Sequence, residues 1–263
     1  MHHLVWNADP ILLQIGPFAI HWYGLFFAGG LLIGYKIMEW IFRREGRDRA
    51  LLEPLFFYLV IGIVVGARLA HCLFYEPDYY LAHPLEILYI WKGGLASHGG
   101  ILGALIALGL FCRRYGIDFL WLFARLTLPA LLVGTLIRVG NFFNSEILGK
   151  ISNLPWAIVF ARVDPDHARH PVMLYESAGY LLLFLFVLWL YRRLNAERAT
   201  CILPGLALSL LFLWRFVLEY LKAPQAEHAA SLPLGLSMGQ LLTIPFFFLG
   251  VGLLIWGARR EQC

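Results

Sequence analysis

Apolar residues run in stretches of about twenty over almost the whole chain, broken by short polar punctuation. About twenty helical residues are needed to cross a bilayer core. Runs at about 18–42, 51–74, 95–112, 119–137, 173–191, 203–221 and 238–257 meet that length and predict seven transmembrane helices in an all-α, polytopic membrane protein. The intervening stretch at about 75–94 carries Tyr79, Tyr80, Trp91 and the pair Gly93-Gly94, and reads as a re-entrant or surface segment. No internal repeat and no inverted pair of Gly- or Pro-broken spans is present, so residues 1–263 read as a single integral membrane domain and a carrier is disfavoured.

The basic residues orient these spans. Arg43, Arg44, Arg47 and Arg49 follow the first run, Arg113 and Arg114 the third, Arg192, Arg193 and Arg198 the fifth, and Arg259 and Arg260 the seventh. All four clusters fall on one side, which the positive-inside rule makes cytoplasmic. The N-terminus is then extracytoplasmic, the C-terminus cytoplasmic, and the segments at about 75–94, 138–172 and 222–237 face outward. All nine histidines, His98 among them, map to the outer side or its boundary, and place the expected chemistry there.

Composition agrees with the spans. The 263 residues are 60% hydrophobic and only 14% charged, with 16% aromatics suited to two headgroup belts. The net charge of +4 therefore reports topology, and no basic run with interleaved aromatics supports nucleic-acid binding. Residues 1–10 carry no basic residue and no small-residue cleavage site, so a removable leader is not expected. Cys72, Cys112, Cys201 and Cys263 form no CxxC pair, which indicates neither a disulfide framework nor a thiolate metal site.

Against this apolar background a few polar groups stand out. Arg138, Asn141, Asn144, Ser145 and Glu146 sit at the end of the fourth run. If the helix continues past 137, Gly134, Arg138, Asn141 and Ser145 share one face. An Arg there needs a partner or a polar cavity, and snorkelling to headgroups would leave the Asn and Glu unexplained. Arg215 lies deeper, with Glu219 at the i+4 spacing of a helical ion pair. The two guanidiniums could converge on an anionic headgroup, since the planar fork matches phosphate oxygens. His98 stands between Gly93-Gly94 and Gly99-Gly100. Base, orienter and hydrogen-bond donor are all open roles for it. Tyr23 follows His21-Trp22 at the mouth of the first run, and Glu176 lies just inside the fifth. His167-x-x-His170 lacks a third metal ligand, and Ser97, Ser145 and Ser177 lack a nucleophile elbow.

In order along the chain stand His21-Trp22-Tyr23-Gly24-Leu25, Gly94 to Gly100, Arg138 to Gly149, Leu154-Pro155-Trp156-Ala157, His170-Pro171 with Leu174-Tyr175-Glu176, Arg215 to Glu219, and Leu236-Ser237-Met238-Gly239-Gln240. These segments resemble the prolipoprotein diacylglyceryl transferases of bacteria, whose signature is the pattern Arg-x-Gly-Asn-Phe-x-Asn-x-Glu-x-x-Gly. The resemblance implies a multi-pass enzyme of the bacterial inner membrane with its active region on the extracytoplasmic side. Such enzymes move the diacylglyceryl group of phosphatidylglycerol onto the lipobox cysteine of a prolipoprotein signal peptide and release glycerol phosphate, with no metal or other cofactor expected. It implies catalytic roles for His98, Arg138 and Arg215, and phosphatidylglycerol binding by Arg138, Arg215, Tyr23, Asn141, Glu146 and Gly149. Three departures from the pattern are Leu211 for a tyrosine, Ser145 for a glycine and Lys150 for an arginine. A paralogue with altered lipid or peptide preference, a phospholipid-binding transporter and a non-catalytic scaffold are the alternatives.

Overall fold

The computed structural model of the chain describes residues 3–16, 18–90, 93–223 and 236–259. His2, Trp91, Lys92, His228, Arg260, Cys263 and most of the 222–237 segment lie outside these residues. Helices appear at each expected span: α1 (Trp22–Arg44), α2 (Leu52–Phe74), α4 (Ser97–Tyr115), α5 (Phe119–Phe143), α6 (Val172–Arg193), α7 (Ala196–Glu219) and α8 (Met238–Arg259), with the short α3 (Pro77–Ala82) between α2 and α4. Six of the seven, α4 being the exception, are long and apolar enough to cross a membrane. The 19 residues of α4 include four glycines, and His98 and the terminal Arg113 and Arg114 dilute it further.

Two boundaries differ from the hydropathy reading. Residues 18–21 are not helical: Phe18–His21 forms β3, which pairs antiparallel with β2 (Ile11–Ile15). The β-branched Ile11, Ile15 and Ile20 favour the strands, and Gly16 at φ +57° makes the turn. At the other boundary, α5 runs on to Phe143 because the polar groups beyond 137 find partners in the structure.

The chain forms two compact units. The first comprises Met1–Ile37 and Ala124–Cys263, the second Met38–Phe123. In the first, β1 (Leu4–Trp6) lies parallel to β4 (Ile158–Phe160), which pairs antiparallel with β5 (Ala168–Arg169). This small sheet covers the end of α5, where Phe142, Ile158, Phe160 and Met173 are buried together and the Trp6 ring lies 4.2 Å from that of Phe142. In the second, α2 packs on α4 through Gly62 and Gly66 against Gly103 and Gly99, so closely that a Cβ at either Gly66 or Gly103 would strike backbone of the other helix. Small residues at this spacing let helices approach without side chains between them. Among the described residues Cys72 and Cys112 are free and buried.

Candidate active site

The signature segment is a helix terminus. Glu146 N–H donates to Asn141 O and Ser145 N–H to Phe142 O, the paired bonds of a Schellman motif at the end of α5. The motif needs a left-handed residue after the cap, and Ser145 takes it at φ +55°. Ile147 is left-handed as well, at φ +58°, a conformation costly for a β-branched side chain. This reversal folds Glu146 back over the helix. Its carboxylate accepts from Asn141 Nδ2 at 2.9 Å and from Asn144 Nδ2 at 3.0 Å, and Asn141 Oδ1 in turn accepts from Arg138 Nη1 at 3.3 Å. Tyr23 packs against Gly140 and lies within electrostatic range of Glu146 and Arg138.

Arg138 also meets α6. Its Nε lies 2.9 Å from Glu176 Oε2, and the Glu176 side chain is fully buried. Glu176 Oε1 is 3.0 Å from Lys222 Nζ, which is in turn 2.9 Å from Glu219 Oε2. Arg215 donates Nη1 to Tyr180 OH at 3.1 Å and lies within electrostatic range of Glu176 and Glu219. A buried carboxylate is expensive unless paired, and here each one faces cations. Arg138, Arg215, Tyr23, Asn141 and Glu146 therefore gather around one ion network.

Two supports hold this network. Ser237 caps α8: its Oγ accepts from Gln240 N–H while Gln240 Oε1 accepts from Ser237 N–H, a reciprocal capping box, and Ser237 Oγ also donates to Glu219 Oε1 at 3.1 Å. Gly239 lies directly against the Glu219 carboxylate, where a Cβ would collide with it. On the other side, Gly149 N–H donates to His170 O and Lys150 N–H to Leu221 O, which ties the end of the signature to the chain just before α6 and just after α7. Arg169 Nη1 donates to Gly149 O at 3.2 Å while its Nε is 2.6 Å from Asp164 Oδ2. The His167 hydrogen bond and the Arg169 contacts hold the Asp164 carboxyl below the usual carboxylate range.

His98 belongs to the other compact unit, where it is exposed in the first turn of α4. The chain ahead of it is organised by Arg68 of α2, which is almost fully buried. Arg68 donates Nε to Ile87 O at 2.8 Å, Nη1 to Gly93 O at 2.7 Å and Nη2 to Glu86 O at 2.7 Å. Ala96 N–H donates to Ala67 O and fixes the entry to the helix.

Several readings change. Glu219, which the spacing offered as a partner for Arg215, forms its ion pair with Lys222 instead. Leu211 stands where the family pattern has a tyrosine on α7, but Tyr180 of α6 supplies a phenol to Arg215. Lys222, Tyr180 and Arg68 went unnoticed in the sequence. A charged residue inside an apolar run was the available signal for Arg68. For Tyr180 it was the i+4 spacing from Glu176.

The prolipoprotein diacylglyceryl transferase family model matches residues 10–256. Among similar proteins, phosphatidylglycerol–prolipoprotein diacylglyceryl transferase of Tolumonas auensis is 51% identical over 98% of this chain and 99% of its own length. The proteins of the same name from Chloroherpeton thalassium and Porphyromonas gingivalis are 45% and 42% identical, covering 99% and 98% of this chain and 96% and 95% of their own. A match of this extent, across both compact units and every segment of the ion network, shows that the chain belongs to the prolipoprotein diacylglyceryl transferase family.

Proposed function

We propose that the protein transfers the diacylglyceryl group of phosphatidylglycerol to the lipobox cysteine of prolipoprotein signal peptides, at the extracytoplasmic face of the bacterial inner membrane. The observation that carries this reading is the pair of guanidiniums that both meet α6, Arg138 at Glu176 and Arg215 at Tyr180. Arg138 spends Nε on Glu176 and Nη1 on Asn141. Arg215 spends Nη1 on Tyr180. Both forks thus arrive oriented, with donors left for phosphate oxygens.

The chemistry follows from those donors. Sulfur of the lipobox cysteine attacks the glycerol carbon that bears the phosphate, the C–S bond forms, and the C–O bond breaks with its electrons on the departing glycerol phosphate. Negative charge grows on the phosphate oxygens, where fixed guanidinium donors in a water-poor site stabilise it. The thiol must lose its proton, because the thiolate is the nucleophile. We assign the acceptor of that proton to His98, on the resemblance to the family. The outward orientation rests on the basic clusters on the opposite side.

Purified protein incubated with phosphatidylglycerol and a lipobox peptide tests the reading. Mass gain on the Cys peptide and none on its Ser counterpart is expected. A folded wild-type sample that modifies neither, or an Arg138→Ala variant with wild-type transfer, would overturn it.

A further inference from the structure

Lys222 is the third cation of the network, and the transfer reading gives it no task. Only 8% of its side chain is exposed. Its backbone bridges to Gly149, so it is fixed both by its main chain and by two carboxylates. A lysine this buried loses hydration that only paired charge returns.

The charge count shows what it does. Glu146, Glu176 and Glu219 bring three negative charges, and Arg138 and Arg215 two positive ones, a sum of −1. Lys222 brings the sum to zero. Without it, both Glu176 and Glu219 would turn their full charge on the two guanidiniums, and a phosphodiester would meet a site of its own sign. We infer that Lys222 is a positioning residue for headgroup binding: it occupies Glu176 and Glu219, and so keeps the outer donors of Arg138 and Arg215 available to the phosphate. This rests on the phosphatidylglycerol reading and extends it to a residue that need not touch the lipid.

The experiment compares wild type with Lys222→Met, Lys222→Arg and the double variant Glu219→Gln/Lys222→Met. Transfer is followed at varied mole fractions of phosphatidylglycerol, and lipid binding is read separately by native mass spectrometry. Lys222→Met is expected to raise the apparent KM for phosphatidylglycerol roughly ten- to fiftyfold, the effect of one unit charge about 7–12 Å from the phosphate in a medium of effective dielectric about 20, with kcat changed less. Lys222→Arg should stay near wild type. The double variant removes one charge of each sign, restores the sum of zero, and should recover most of the lost affinity. A purely structural lysine would give no such recovery. Wild-type KM in Lys222→Met, a Lys222→Arg variant as impaired as Lys222→Met, or a double variant no better than the single one would each overturn the inference. If Lys222→Met does not fold, the arginine and double variants decide it. If the wild type binds phosphatidylglycerol but transfers nothing, the transferase reading fails, and the order of binding among the variants still tests Lys222.

Discussion

Replacing Ser145 with glycine is expected to stabilise the protein. Ser145 occupies the left-handed position of the Schellman motif at φ +55°, where a side chain costs about 1–2 kcal/mol relative to glycine. Its Oγ is buried and has no hydrogen-bond partner among the described residues, and an unsatisfied hydroxyl of this kind costs about 1–3 kcal/mol. Against these gains stands the extra freedom of glycine in the unfolded chain, about 0.5–1 kcal/mol. The net expectation is stabilisation by about 1–4 kcal/mol, which for a chain of this size corresponds to roughly 2–16 °C in melting temperature. Thermal unfolding of detergent-purified protein, followed by intrinsic fluorescence, measures it. Ser145→Ala divides the two contributions, because alanine removes the hydroxyl and keeps the left-handed penalty; it should gain less than glycine. A Ser145→Gly protein that melts below wild type refutes the reasoning, and equal gains for alanine and glycine refute the backbone part of it.

Glu176→Gln should destabilise the fold by about 3 kcal/mol, since it leaves Arg138 and Lys222 buried around a neutral amide. Its melting temperature, compared with that of a Glu176→Gln/Lys222→Met double variant that removes the excess positive charge but leaves Glu219 without its lysine, reads the effect. Gly239→Ala places a methyl group where the Glu219 carboxylate lies, and is expected to lower transfer about tenfold while circular dichroism stays unchanged. For Asp164 the folded-state pKa lies below the ordinary value. Its contribution is therefore fully present above the unfolded pKa of about 3.9 and is lost only as pH falls through the lower, folded value. Protection against hydrogen exchange in residues 149–152, after the intrinsic pH dependence of exchange is divided out, should thus be steady from neutral pH down to the usual carboxylate range, and Asp164→Asn should lower it throughout that range, because Arg169 loses the anchor that holds it to Gly149 O.

How much was legible in the sequence follows from the range of each interaction. The seven long helices could be read because burial in lipid acts on every residue of a run. The motif at residues 138–149 could be read because its contacts are local: Arg138 to Asn141, Asn141 to Glu146 and Asn144 to Glu146 all lie within one or two turns. The hairpin at Ile11–His21 was hidden because its strands are as apolar as the helix that follows, and hydropathy alone does not separate the two. His98 was conspicuous for the glycines around it, yet the side chain that organises its approach, Arg68, bonds only to backbone carbonyls, and carbonyls carry no sequence signature.

The ion network shows why its remaining members stayed out of sight. Glu176 and Tyr180 are four residues apart on α6, so they stand on one face a turn apart. On α7, Arg215 lies seven residues before Lys222, again on one side of the chain's path past Glu219. The helices run in opposite directions: Tyr180 meets Arg215 and Glu176 meets Lys222, two rungs in which the residue numbers rise on one rail as they fall on the other. Each rung joins residues far apart in sequence, and Lys222 lies beyond the last turn of α7, where a lone lysine reads as a solvated chain end. Arg138 of α5 then completes the second rung by sharing Glu176. The same geometry bears on Leu211. Tyr180 brings a phenol to Arg215 from α6, whereas α7 carries Leu211. Tyr180→Phe in this chain should then impair headgroup binding, and installing tyrosine at Leu211 in that background should restore it; failure of the second tyrosine to rescue would mean that the hydroxyl must approach Arg215 from α6.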